Sequence, residues 1–300
     1  DSKEVHMAYE TLNKCIGCSS DEIHSVPGTE GFSKCGRCGL IFDNPRPSAV
    51  AIREFYSREG QYDGWLDEIA ERDDLWNRRL KKIMAIPTHR GALLDVGAGI
   101  GQFLHHASQV FEDVTGTEIS SSAIDIAKKR YGLYLVDGNL EDTFFLEKRF
   151  NIITAFHVLE HVPFPGKFLD KCLSLLEEGG VLILAVPNDV DSFWARLRRI
   201  FRIFGSKKYS KYTSLGLPML TLDDSTEEVH LSHFTKKSLS TLLSDRGFEV
   251  EHLSLDPFFV SKGSRLFRHK LIYRICGLID LFSGINLYET LWAVARKPAT

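Results

Sequence analysis

Ala92-Leu-Leu-Asp95-Val-Gly97-Ala-Gly99-Ile-Gly101 is the stretch whose reading decides the fold. Its first five residues form a short apolar run of the kind buried on both faces of a parallel sheet. Three alternating glycines follow, and Gln102 to Val110 then has a helix-like pattern. A strand, a glycine turn and a helix in that order let a ligand approach bare backbone at a helix N-terminus. A dinucleotide fingerprint, G-x-G-x-x-G, would place its third glycine at position 102, which is Gln102. The pattern is instead D-x-G-x-G-x-G, which disfavours NAD or FAD.

Working downstream, a second strand runs from Asp113 to Thr117 and ends in Glu118, about 20 residues past the loop, where a carboxylate can accept from both ribose hydroxyls. Leu133 to Val136 reads as a third strand, Phe150 to Phe156 as a fourth, Gly180 to Val186 as a fifth and Thr290 to Ala295 as the last. The third leads into Asp137-Gly-Asn139-Leu140-Glu-Asp142 and the fourth into His157-Val-Leu-Glu160-His161-Val162. Strands alternating with helices at this spacing predict an α/β fold with a doubly wound, mostly parallel sheet and helices on both faces.

Upstream, Cys15-Ile-Gly-Cys18 and Cys35-Gly-Arg-Cys38 are two C-x2-C pairs. Each pair offers two thiolates from one tight knuckle, and the spacing falls in the range of zinc ribbons. Four protein ligands close the coordination shell, so Cys15, Cys18, Cys35 and Cys38 point to structural rather than catalytic zinc. A redox C-x2-C would open a helix in a thioredoxin-like unit, and none is evident. Asn44-Pro-Arg-Pro47 ends the module stiffly, and helical stretches from Ser48 to about Arg58 and Leu66 to Ile86 lead to the main domain. Cys172 and Cys276 stand alone on apolar segments, as buried core thiols do.

With 43% hydrophobic residues the chain has ample core, and its net charge of -3 argues against nucleic acid as the main partner. No secretory signal is visible, and no run approaches about 18 uninterrupted apolar residues. Paired cysteines of metal spacing fit a reducing compartment, so the expected location is the cytoplasm.

The series Leu-Leu-Asp-Val-Gly-Ala-Gly-Ile-Gly, Gly-Thr-Glu118, Gly-Asn-Leu-Glu-Asp142, Val-Leu-Glu-His-Val162 and Glu-Gly-Gly-Val-Leu-Ile-Leu184 resembles, in order, the class I S-adenosylmethionine (SAM)-dependent methyltransferase family. Glu228-Val-His-Leu-Ser-His-Phe-Thr-Lys-Lys-Ser-Leu239 is similar to that family's small-molecule subgroup, and the cysteine module to one found ahead of sugar and polysaccharide methyltransferases. The resemblance implies a Rossmann-like, seven-stranded sheet. It also implies that the backbone at Gly97, Gly99 and Gly101 holds the methionine part of SAM, that Asp95 orients the loop and that Glu118 binds the ribose hydroxyls. Asn139 stands where the family commonly has an acidic residue for the adenine amino group; the Asn oxygen can accept there, and Asp137 is an alternative. Leu140 would contact the adenine ring and the backbone of His157 the methionine end.

Methyl transfer to a hydroxyl needs a base, and histidine is the natural one. His230 is the first candidate, then His161 and His233, each set against a purely structural role such as helix capping by Glu160-His161. No carboxylate–histidine set has the tight linear spacing of a catalytic metal site.

Two basic, aromatic segments interrupt the scaffold, at about 190–228 and 258–288. In the first, Phe193, Leu197, Ile200, Phe201 and Phe204 make an apolar stripe, with Arg196, Arg199 and Arg202 facing away. A lid helix with its stripe on the core, a homodimer contact, and peripheral binding at the anionic inner face of a membrane compete as explanations. The domain reading is a zinc ribbon at 8–47, a linker helix at 48–64 and a SAM methyltransferase domain at 65–300. Its acceptor is a small molecule, with a sugar or saccharide hydroxyl in front. An RNA methyltransferase and a non-catalytic SAM-binding partner protein are the alternatives.

Overall fold

The apolar runs at 92–96, 150–156 and 181–186 lie at the centre of a seven-stranded sheet, where strands buried on both faces belong. A computed structural model describes residues 9–29, 31–56, 63–145, 147–204, 212–217, 228–261 and 263–299. The elements are β1 (Tyr9–Glu10), β2 (Ile23–Ser25), β3 (Phe32–Cys35), β4 (Ile41–Asp43), β5 (Arg46–Pro47), α1 (Ala49–Tyr56), α2 (Asp63–Asp67) and α3 (Ile69–Met84). Then come β6 (Ala92–Val96), α4 (Gln102–Ala107), β7 (Asp113–Glu118), α5 (Ser121–Tyr131), β8 (Val136–Asp137), β9 (Phe150–Phe156), α6 (Pro165–Leu175) and β10 (Leu176–Pro187). The chain closes with α7 (Phe193–Ile203), β11 (Ser232–His233), α8 (Lys236–Asp245), β12 (Glu249–Leu255), α9 (Gly263–Ser283) and β13 (Thr290–Arg296).

The large sheet has the order β12-β13-β10-β9-β6-β7-β8. Strands β6 to β10 are parallel, and β13 runs antiparallel between β10 and β12. The order reverses between β6 and β9, and the crevice at the carboxyl ends of these strands is where such sheets take ligands. Alternation along β10 separates two cores. Leu182, Leu184 and Val186 pack with α6 and α8, whereas Val181, Ile183 and Ala185 pack with α3 and α4. Each fully buried side chain of this size contributes about 1.5–3 kcal/mol. The expected lone thiols, Cys172 and Cys276, are both buried.

The cysteine module is built into the main domain rather than tethered to it. Its sheet, β11-β4-β3-β2, takes its edge strand from residues 232–233, far downstream. The four cysteines share one core with α6 and α8. At the joint the Gly166 amide donates to the Ile16 carbonyl, and Arg246 bonds both the Gly17 carbonyl and Asp170.

The first basic insert speaks against one of its three readings, a stripe packed on the core. Its apolar stripe faces outward, with Phe193 and Ile200 each 48% and Phe204 81% exposed, while Ala195 is the buried residue of α7. The inner face is polar because Arg198 and Arg199 donate to the carbonyls of Gly216 and Leu215 in their own return loop. Residues 205–211 and 218–227 of this insert lie outside the described residues. No helix among the described residues is long and apolar enough to cross a membrane.

A Cβ at Gly166 would overlap the Gly17 carbonyl oxygen, whereas one at Gly277 meets nothing within 4 Å. Gly166→Ala is therefore expected to cost about 1–3 kcal/mol by forcing the cysteine module off α6. Gly277→Ala, inside α9, is expected to be neutral or slightly stabilising. Urea unfolding of the two variants checks the contrast.

Candidate active site and cysteine cluster

The glycine loop leaves β6 with Gly97, Gly99 and Gly101 at φ of 66°, 53° and 77°. These left-handed angles, and the approach of Val158 and Trp65 to Gly97 and Gly99, exclude side chains there. The Gly99 amide donates to Glu118 Oε2 at 2.8 Å, and the amides of Ile119 and Ser120 donate to Oε1 at 2.8 and 3.0 Å. The carboxylate at the end of β7 is thus aimed by backbone. Asp95 sits behind the loop, accepting from Thr154 on the neighbouring strand at 2.7 Å, and burial pushes its carboxyl up to about 7. Asn139 donates through Nδ2 to Asp142 at 3.3 Å, which leaves Oδ1 as its acceptor, while Leu140 beside it is buried.

A cavity of about 360 Å³ joins Gly97, Gly99, Glu118, Asn139 and Leu140 to His157, His161 and His230. Asp95, Gly101 and Asp137 do not line it. His157 adopts φ 57°, and its amide donates to the Ala185 carbonyl across the sheet end. Its side chain does more than the sequence suggested. Arg79 Nη2 lies 3.2 Å from His157 Nε2, and since a guanidinium only donates, the ring proton sits on Nδ1, 3.4 Å from Glu160 Oε1. Arg79 is fully buried, paired with Asp256, and its Nη1 has no hydrogen-bond partner among the described residues. Arg79 also lines the cavity and was missed from sequence, because nothing in an amphipathic helix marks an inward arginine.

The histidines divide by protonation. His161 Nδ1 lies 2.7 Å from both the Val229 carbonyl and the Tyr56 hydroxyl, and a proton on Nδ1 donated to the carbonyl leaves Nε2 as the basic nitrogen. Burial, only partly offset by Glu160, lowers the pKa of His161, so it is neutral near pH 7. His230, with its ring 5.0 Å from that of His161, is the opposite case. Burial opposes its charge, but Asp189 at 3.1 Å and Glu228 at 3.6 Å outweigh it and raise its pKa well above the ordinary value. His233 does not line the cavity. Its Nδ1 and Nε2 each lie 3.2 Å from a carboxylate, Asp189 and Asp43 respectively, which raise its pKa to about 9 against the effect of burial. Burial alone would raise the Asp189 carboxyl; hydrogen bonds from His230 and His233 instead hold it well below the usual range. Although linear spacing shows no carboxylate–histidine set, the fold brings one ligand atom each of Glu160, His161 and His230 within 4.8 Å of one another.

At the other end, the thiols of Cys15, Cys18, Cys35 and Cys38 also converge within 4.8 Å, with Cys15–Cys38 at 3.6 Å and Cys18–Cys35 at 3.5 Å. Zinc–sulfur bonds of about 2.3 Å in a tetrahedron need sulfurs roughly 3.8 Å apart. The cluster is thus compatible with a zinc ribbon.

A methyltransferase-domain family model matches residues 69–253, and the chain belongs to the class I SAM-dependent methyltransferases. Among curated proteins it is similar to a ubiquinone biosynthesis O-methyltransferase of Coxiella burnetii (strain Dugway 5J108-111), 36% identical over 116 residues, or 37% of this chain and 50% of that protein. The chain thus spans about half the length of the curated relatives it matches. Among solved structures, magnesium protoporphyrin IX methyltransferase from Synechocystis PCC 6803 with bound SAH superposes with a TM-score of 0.51 at 14% identity, covering 83% of this chain and 100% of that one. The plantazolicin methyltransferase BpumL superposes at 0.50 with 16% identity, covering 82% and 94%. These likenesses show the fold.

The ion pairs of His233 make stability pH-dependent. Its pKa is raised from 6.5 to about 9 in the folded state, so its contribution is complete below pH 6.5 and lost as pH rises through 9. Denaturation midpoints measured across that window are expected to fall in the native protein and to stay flatter in His233→Phe, which starts lower.

Proposed function

We propose that this protein moves a methyl group from SAM to a hydroxyl of a small-molecule acceptor, with a sugar or saccharide as the leading class. The observation that carries the reading is the single cavity running from the glycine loop and Glu118 to a neutral imidazole beside a charged one. When bound, SAM supplies an already activated methyl, so the chain's task is alignment and proton removal. The bare backbone at Gly97 and Gly99 would hold the methionine part, Glu118 would accept from the ribose hydroxyls, and Asn139 Oδ1 with Leu140 would meet the adenine. Arg79, which lines the cavity and whose buried Nη1 lacks a partner among the described residues, is suited to the methionine carboxylate.

His161 Nε2 takes the acceptor's hydroxyl proton as its oxygen attacks the methyl carbon, the carbon–sulfur bond breaks and a neutral thioether leaves. His161 suits this role better than His230 because it is neutral at working pH, whereas His230 is already protonated and can only donate, orienting the acceptor oxygen. His233, held between two carboxylates, is a structural residue. Trp65, with Arg72 stacked 4.1 Å over its ring, lines the same cavity and offers an aromatic surface that suits a polyhydroxyl acceptor. The O-methyltransferase name of the Coxiella protein supports oxygen as the receiving atom. Cys15, Cys18, Cys35 and Cys38 hold a structural zinc, and the boundaries 8–47 and 65–300 mark segments that fold as one body around a shared core.

The test begins with metal analysis, expected to return zinc equal in amount to protein, and continues with calorimetric titration of that protein with SAM and with NADH. Micromolar SAM binding that Glu118→Ala abolishes is expected; folded, zinc-loaded protein that ignores SAM sinks the reading. Turnover on a panel of sugar hydroxyls should then lose activity on the acid side below the ordinary imidazole pKa of 6.5, because His161 must be neutral. His161→Gln is expected to lower kcat by about 100-fold or more and to remove that acid limb. An unchanged limb in the variant assigns the base elsewhere.

A further inference from the structure

Helix α9 is apolar on two opposite faces, and among the described residues only one of them is covered. Its inner face carries Cys276 and Tyr273, which pack with Leu255 and Tyr288. On the outer face Phe267, Leu271, Ile275, Leu278 and Phe282 recur at spacings of four, four, three and four, with Leu281 alongside. All six are exposed, Phe267 to 70%, Leu281 to 74% and Phe282 to 85%. A contiguous apolar strip of this kind on a helix surface marks an interaction site.

The charges say what kind. Arg265, Arg268, Lys270 and Arg274 lie between the start and the middle turn of the same helix, and none is paired with a carboxylate among the described residues. The helix's one acidic residue, Asp280, is engaged by Lys236 at 2.8 Å. An unneutralised cluster of four cations thus stands on a chain whose net charge is -3. Apolar side chains flanked by free Lys and Arg are complementary to an anionic lipid surface, which takes the apolar residues at the acyl boundary and the cations at the phosphates. A second copy of the chain fits less well. Two-fold antiparallel pairing of α9 would centre near residue 273 and set Arg274 against its own image, with no carboxylate of this helix free to separate them. The helix would lie on the bilayer, since it does not qualify to cross it.

We propose that the outer face of α9 is a docking surface for an anionic membrane. Docking is independent of the catalytic assignment, and SAM binding serves as the separate readout of an intact fold. The experiment is flotation of the full chain with vesicles of phosphatidylcholine alone and of phosphatidylcholine with phosphatidylglycerol, at low and high salt. Binding only to the anionic vesicles, weakened by salt, is expected. Arg268→Glu and Arg274→Glu should each weaken it about fivefold or more, since a basic residue near such a surface is worth about 1 kcal/mol. Leu278→Ser with Phe282→Ser should weaken it at every salt concentration, with SAM binding unchanged in all variants. Absence of binding by SAM-competent protein, equal binding to neutral vesicles, or a lipid-free dimer that the same substitutions dissociate overturns the proposal.

Discussion

The Asp189 carboxylate is the point on which the two ends of this molecule depend. It lies 3.1 Å from His230, which lines the cavity, and 3.2 Å from His233, which reaches back to Asp43 of the cysteine module. One negative charge is shared between two imidazolium groups, and a second, on Asp43, closes the array. Removing water from such groups is costly, and only mutual pairing makes their burial tolerable. The array therefore couples two things that look separable along the chain: the charge state of the cavity wall and the seating of the cysteine module. The strand pairing of β11 with β4 runs through the same residues, so backbone and side chains enforce one arrangement.

A second buried network governs the cavity's other wall. Arg79 binds Asp256 on one side and faces His157 on the other, and His157 in turn faces Glu160. Glu160 is wholly buried, and both its carboxylate oxygens lack hydrogen bonds among the described residues. Burial would raise its pKa, but His157 and His161 outweigh that and keep it below the ordinary value. Its charge raises the pKa of both His161 and His230, so what separates the two is burial at His161 against the added Asp189 and Glu228 carboxylates at His230. Cavity, histidines and carboxylates belong to one electrostatic unit.

Much of the cofactor half was legible in the chain because its determinants are local. Glycines at 97, 99 and 101 need positive φ, and a strand leading into that turn reads as an apolar run. Glu118 follows at a distance set by one helix and one strand. The acceptor half was less legible, because His161, His230 and Asp189 come from segments between 28 and 69 residues apart and meet only through sheet order. The α7 stripe shows the limit of periodicity. The pattern correctly marks an amphipathic helix, but it does not say which face turns inward, and two arginines satisfying loop carbonyls reversed the expected orientation. Similarly, the C-x2-C spacing located a four-thiol cluster but did not show that its sheet borrows a strand from residues 232–233.

The sequence by itself determined the alternation of strands and helices, the glycine turn, the carboxylate after the second strand and the paired thiols, since each is a matter of short-range spacing and backbone freedom. Only the tertiary structure decided which histidine is neutral and which is charged. Protonation depends on burial and on carboxylates brought close from remote segments, and neither quantity is encoded in the order of neighbouring residues.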